Sequence, residues 1–147
     1  MGKKNSINPF DEVDGVNPYN HCAFSRLTDD MALSKVYQSL SAEAKNVLSI
    51  CKLCRRFHTK NKLLDNPLCF YFNRNLQERY GLKNPNKTRI AIIELVQKGF
   101  LDVKENNSHA HTKNIYAFSS KWRHLEKTGE IDLSPAAKTY IQGRRKV

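Results

Sequence analysis

Residues 84–99 read NPNKTRIAIIELVQKG, and this stretch decides the fold. Asn86 is placed to accept a bond from the backbone N–H groups that open a helix. Thr88, Ala91, Ile92, Leu95 and Val96 then recur at i, i+3, i+4, i+7 and i+8. That spacing lays one apolar stripe along a helix. Lys98 stands in the last turn, and Gly99 suits a left-handed stop. Asn84–Gly99 is therefore a cap, a helix and a stop.

The flanks extend the pattern. NRNLQERYGL (73–82) predicts a short helix with Asn73 as cap and Gly81 at its end. Cys69–Phe72 is a run of apolar and aromatic residues, the composition of a strand. Phe100–Glu105 alternates Leu101 and Val103 against Asp102 and Lys104, the period of a half-buried strand. NNSHAHT (106–112) is a polar turn, and Lys113–Phe118 returns with Ile115 and Tyr116. Helix, short turn, helix and hairpin predict a winged helix-turn-helix in the α+β class.

Extra helices are expected at both ends. Residues 1–22 carry two Asn-Pro steps and an Asp-Gly step, so an irregular arm is expected there. Ala23–Leu27 reads as a short strand. Thr28 is a candidate cap for Asp29–Leu33, and Ser34 for Lys35–Leu40. Ser41 caps a stronger helix, Ala42 to about Phe57, with Ala44, Val47, Leu48, Cys51 and Cys54 as its main stripe. HTKNKLLDNPL (58–68) reads as a loop. Lys121–Lys127 predicts a short helix broken at Thr128-Gly129. Ser134-Pro135 opens a last helix that Gly143 should end, before the basic Arg144-Arg145-Lys146. The expected division is an arm over 1–22, a domain over 23–125 and a C-terminal helix with a basic tail over 126–147.

The charge balance narrows the function. The chain has 25 basic and 14 acidic residues, a net +11 over 147 residues. That is more than solubility needs, and it favours a polyanionic partner. No run of eighteen apolar residues is present, and the N-terminus lacks the apolar core of a secretory signal. A cytoplasmic protein with reduced thiols is expected. There is no GxSxG, P-loop or HExxH pattern, so no catalytic residues, cofactor or metal are expected. Asp29-Asp30 is explained by helix-start chemistry. Cys51-x-x-Cys54-x-x-x-His58 has zinc-like spacing but no second pair. Both cysteines fall on the apolar stripe, where a free thiol behaves as a small hydrophobe.

Three groups of residues form the candidate site. In the turn and first helical turn, Lys83, Asn84, Asn86, Lys87 and Arg89 are placed to meet phosphates or base edges. Ile90 and Ile93 fall outside the stripe, as core, as a protein contact, or as partners of a thymine methyl. The hairpin tip brings Asn106, Asn107, Ser108, His109 and His111, flanked by Lys104 and Lys113. Such a tip enters a minor groove, follows a phosphate ridge, or is simply solvated. The third group is Arg55, Arg56, Lys60 and Lys62, which with Lys52 gives five cations and no acid over residues 52–62. That suits a phosphate edge or a solvated helix end.

These residues also carry a resemblance. LQERYGL (76–82), KTRIAIIELVQKGFLDV (87–103) and NIYAFSSKW (114–122) resemble the winged-helix proteins of bacterial replication, regulation and plasmid transfer. FSRLTDDMALSKVYQSLSAEAKNVL (24–48) is similar to the leader of small helix-turn-helix proteins of Gram-positive plasmids and integrative elements. The resemblance covers roughly Phe24–Trp122. It departs at Ile90 and Ile93, where polar residues are usual. It implies a sequence-specific double-stranded DNA-binding protein that acts in replication or conjugative transfer, with replication or relaxase proteins as partners. Lys87, Arg89 and Ile90 would face the groove, and Asn106–Lys113 would be the wing. A transcriptional repressor is the neighbouring alternative, usually a dimer on a palindromic site. A winged helix that binds protein through Ile90 and Ile93 is the alternative of another class.

Overall fold

Ser41 opens the longest helix because its hydroxyl accepts the Ala44 N–H at 3.1 Å. This helix is α3, and it belongs to a computed structural model that describes residues 27–107 and 113–145. In chain order the described elements are α1 (Asp29–Leu33), α2 (Lys35–Gln38), α3 (Ala42–Lys60), β1 (Cys69–Tyr71), α4 (Arg74–Arg79) and α5 (Pro85–Gln97). β2 (Leu101–Glu105), β3 (Ile115–Phe118), α6 (Lys121–Thr128) and α7 (Pro135–Arg145) follow. The chain is thus of the α+β class. Its strands form one antiparallel sheet in the order β1-β3-β2. Phe70 pairs with Tyr116, and Tyr116 with Val103.

The core lies between α3, α5 and the sheet. Val47, Leu48, Cys51 and Cys54 of α3 meet Ala91, Ile92, Leu95 and Val96 of α5 in one buried cluster with Phe70 and Phe72. Each fully buried Ile, Leu or Phe contributes about 1.5–3 kcal/mol. The Phe100 and Trp122 rings stack at 5.7 Å. α7 adds Ala137, Tyr140 and Ile141 to the same cluster and lies against β2.

The junction from α5 to β2 depends on Gly99. Its φ is +84°, and a Cβ there would stand 2.5 Å from the Trp122 backbone nitrogen. No larger residue fits without moving α6. The Trp122 N–H donates to the Gly99 carbonyl at 3.1 Å, so this contact also starts α6.

The structure corrects several expectations. Asn84, not Asn86, caps α5: its side-chain oxygen accepts the N–H groups of Asn86 and Lys87 at 3.1 and 3.2 Å. Pro85 is then the first helical residue, where its missing N–H costs nothing. α3 runs on to Lys60, so His58 and Lys60 are helical and the loop is 61–68. α2 stops at Gln38, and Thr28 offers no side-chain cap to α1. β1 ends at Tyr71, and β3 starts at Ile115 rather than Lys113. α7 passes through Gly143 to Arg145. The expected arm over 1–22, most of the expected strand Ala23–Leu27, and Ser108, His109 and His111 lie outside the described residues, as does Lys146 of the basic tail.

Candidate nucleic-acid interface

α5 divides into two faces. Thr88, Ala91, Ile92, Leu95 and Val96 are buried, as the stripe requires. On the other side Asn86, Lys87 and Ile90 are exposed, and Arg89 is half-buried. Ile90 is 61% exposed. Ile93 behaves differently from Ile90, because it is partly buried and packs against the core. The two isoleucines that the sequence treats alike therefore have different roles.

The C-terminal half of α5 is fastened to the α2–α3 junction. Glu94 accepts the Ser41 backbone N–H at 2.9 Å and the Ser41 hydroxyl at 2.8 Å. The Lys98 ammonium donates to the Ser39 carbonyl and hydroxyl at 3.1 and 3.0 Å and lies 3.4 Å from Glu94. These groups are engaged within the fold. The N-terminal half is different. Among the described residues, Lys83, Lys87 and Arg89 have no ion pair. No acidic residue stands in the first turn of α5. A cation at a helix N-terminus opposes the dipole at about 0.3–1 kcal/mol, and an anion placed there reverses the sign.

The hairpin base is also ordered by its own residues. The Asn107 N–H donates to the Asn114 side-chain oxygen at 2.6 Å, and the Asn107 amide donates to the Lys113 carbonyl at 2.8 Å. Lys113 is exposed, and its ammonium sits 5.1 Å from the centre of the Tyr71 ring. Lys104 reaches Asp102 at 3.9 Å, so its charge is partly offset. The register shifts between Val103 and Glu105, which makes Lys104 the irregular residue of the strand. Tyr71 pairs with Ile115 at the same end of the sheet. β1 therefore hands over to α4 beside the hairpin base. Arg74, the first and exposed residue of α4, starts there. The sequence offered one signal for Arg74: an Asn cap followed by a cation instead of an acid.

The basic end of α3 is only partly available. Arg55 donates to the Pro67 carbonyl at 3.3 Å, and the Thr59 hydroxyl donates to the same oxygen at 3.2 Å. Arg55 is thus a strap on the loop. Arg56 is half-buried, and burial lowers the pKa of the Lys52 ammonium. Lys60 and Lys62 are exposed. Lys62 holds a left-handed φ of 52°, which costs a non-glycine residue about 1–2 kcal/mol.

His58 is a structural residue, not part of an exposed edge. It is 1% exposed, and both ring nitrogens are used. Nδ1 donates to the Cys54 carbonyl at 2.8 Å, and Nε2 accepts the Tyr71 N–H at 3.2 Å. That pattern defines a neutral ring with the proton on Nδ1. Cys51 and Cys54 are buried free thiols, and the Cys54 thiol donates to the Tyr71 carbonyl at 3.1 Å. Burial raises Cys51 far above its usual value and pushes Cys54 up to about 12. Thiols held protonated in this way are poor metal ligands. The described residues contain no group of three potential metal ligands, and no helix among them is long and apolar enough to cross a membrane.

The structure therefore brings Lys83, Asn84, Asn86, Lys87, Arg89 and Ile90 together at one end of α5. It places Asn106, Asn107 and Lys113 at the hairpin base. Comparison with protein-family models, with curated proteins and with solved structures finds no match for this chain.

Proposed function

We propose that this chain is a winged helix-turn-helix protein that binds double-stranded DNA. α4 and α5 are the helix-turn-helix, and the β2–β3 hairpin is the wing. The observation that carries this reading is the first turn of α5. Lys83 precedes it, Lys87 lies in it and Arg89 follows it, none with an ion pair among the described residues, at the helix end whose dipole also attracts anions. A major groove admits one helix, and the first turn of a recognition helix is the part that meets bases. Lys113 and Arg74 extend the positive surface toward the wing. The resemblance to plasmid and integrative-element proteins supports a role in positioning replication or transfer machinery.

The test is duplex binding by fluorescence anisotropy at two salt concentrations. Each phosphate neutralised contributes about −0.9 to the slope of log K against log salt. A slope of about −3 or steeper is expected from Lys83, Lys87, Arg89 and the wing cations. Salt-independent binding, or no binding, overturns the proposal.

One observation favours a second reading. Leu53 and Phe57 lie one turn apart on α3 and are both exposed, with Arg79 6.0 Å from the Phe57 ring centre. A protein-binding domain would use such a face. Leu53→Ala with Phe57→Ala should then abolish partner capture and leave duplex binding intact.

A further inference from the structure

We propose that the exposed face of α5 reads A·T base pairs in the major groove. Asn86 is the adenine reader and Ile90 the thymine-methyl reader. The inference rests on the duplex reading above and adds the kind of base pair that the face selects.

The first support is the change of cap. Because Asn84 takes the capping role, the Asn86 side chain is released from it. Among the described residues the Asn86 amide has no hydrogen-bond partner. An asparagine amide is the side chain that pairs in a bidentate manner with N6 and N7 of adenine. Had Asn86 been the cap, its oxygen would have been spent on the helix backbone.

The second support is Ile90. It stands four residues beyond Asn86, so the two side chains lie one above the other, roughly 5–6 Å apart. Base pairs stack about 3.4 Å apart. The two residues therefore meet base pairs one or two steps from each other. Ile90 forgoes burial that would contribute about 1.5–3 kcal/mol. Its neighbours toward the helix N-terminus are Asn86 and Lys87, both exposed. In the major groove the thymine methyl is the apolar group on offer. A β-branched side chain on a helix keeps one χ1 rotamer, so the methyl reader is held in place. Lys87 and Arg89 then serve phosphates, which carry no sequence information themselves.

Alternating duplexes of about 20 base pairs, near two helical turns, test this directly. Three are needed: dA-dT, dA-dU and dG-dC. Uracil lacks only the 5-methyl of thymine. The full chain should bind dA-dT about tenfold more tightly than dG-dC, and dA-dU about threefold more weakly than dA-dT. Ile90→Ala should bind dA-dT and dA-dU alike. Asn86→Ala should narrow the gap between dA-dT and dG-dC. Both residues are exposed, and unchanged thermal melting will show that both variants fold. Equal binding of dA-dT and dA-dU by the full chain overturns the methyl contact. A methyl preference that survives Ile90→Ala overturns the role of Ile90. Equal, salt-sensitive binding of all three duplexes overturns base reading and leaves duplex binding standing. Binding to none overturns both.

Discussion

The helices of this protein begin in two ways. At α1, Asp29 and Asp30 stand in the first turn. At α2, the Glu126 carboxylate accepts the Lys35 and Val36 N–H groups at 3.1 and 2.9 Å. At α3, Glu94 bonds to Ser41, and Glu43 follows in the first turn. At α7, Asp102 accepts the Ser134 hydroxyl at 2.8 Å, and that hydroxyl accepts the Ala137 N–H. Each of these N-termini has a carboxylate, as the helix dipole favours. α4 and α5 do not. Neutral Asn73 and Asn84 cap them, and Arg74 and Lys87 take the place of acids. α6 also starts without an acid in its first turn, and its Arg123 pairs with Asp30, while the consecutive pair α4–α5 lacks the negative charge found at the starts of α1, α2, α3 and α7. In the proposed complex with DNA, a backbone phosphate would supply it.

The largest effect should come from removing the unmatched cations. Lys87→Ala combined with Arg89→Ala should weaken duplex binding by about ten- to a hundredfold and reduce the salt slope by about 2. Thermal stability should stay level, since neither side chain holds the fold together. A variant that binds as before would move the site off α5.

Glu94→Ala should show the opposite profile. It removes both bonds to Ser41 and the partner of Lys98, so a loss of about 1–2 kcal/mol in chemical denaturation is expected. Duplex affinity of the folded variant should be unchanged. Loss of binding without loss of stability would erase the distinction between the two kinds of helix start.

Acid should act on the framework first. Partial burial alone would raise the Glu94 carboxyl, but the two bonds from Ser41 and the Lys98 ammonium outweigh it and hold it below its ordinary value. The Val36 and Lys35 N–H groups lower Glu126, and the Thr28 hydroxyl and Arg123 lower Asp30. A carboxylate with a lowered folded pKa binds fewer protons in the native state than in the unfolded one. Its contribution is complete above the unfolded pKa, about 4, and is lost as pH falls through the folded value. The melting temperature should therefore be level near neutrality and fall below about pH 4. Glu94→Gln should remove part of that fall. A melting temperature that holds steady in acid would contradict these roles.

The smallest effect has the most informative sign. Lys87 is the third residue of α5, three beyond its Asn84 cap. Lys87→Glu supplies the acid of a capping box, so it should stabilise the fold by about 0.5 kcal/mol. The same change should abolish duplex binding. Destabilisation by Lys87→Glu would mean that the cation is structural.

Much of the architecture was legible in local pattern. The stripes of α3 and α5, the Asn73 and Ser41 caps and the alternation of β2 follow from periods of 3.6 and 2, which need only neighbouring residues. The pattern points to Asn86 as the cap of α5 and misses Asn84, although Pro85 at the first helical position was a local signal for it. Other features were not legible. The end of α3 carries polar residues without a break in period, so nothing local showed that Tyr71 would bury His58. Gly143 costs a helix about 1 kcal/mol, yet α7 continues past it, with Ala137, Tyr140 and Ile141 already anchored in the core. Of the candidate site, the α5 cations were plain from spacing, whereas the diversion of Arg55 to Pro67 was not.

The sequence alone determined the order of elements, their apolar faces and the positive excess, because each depends on residue type and short-range spacing. Tertiary structure decided which charges stay unmatched and which isoleucine stays exposed. Glu94 reaches Ser41 across 53 residues, and Glu126 reaches Val36 across 90. Such pairings exist only once the chain has folded, and they are what separates the served helix starts from the open start of α5.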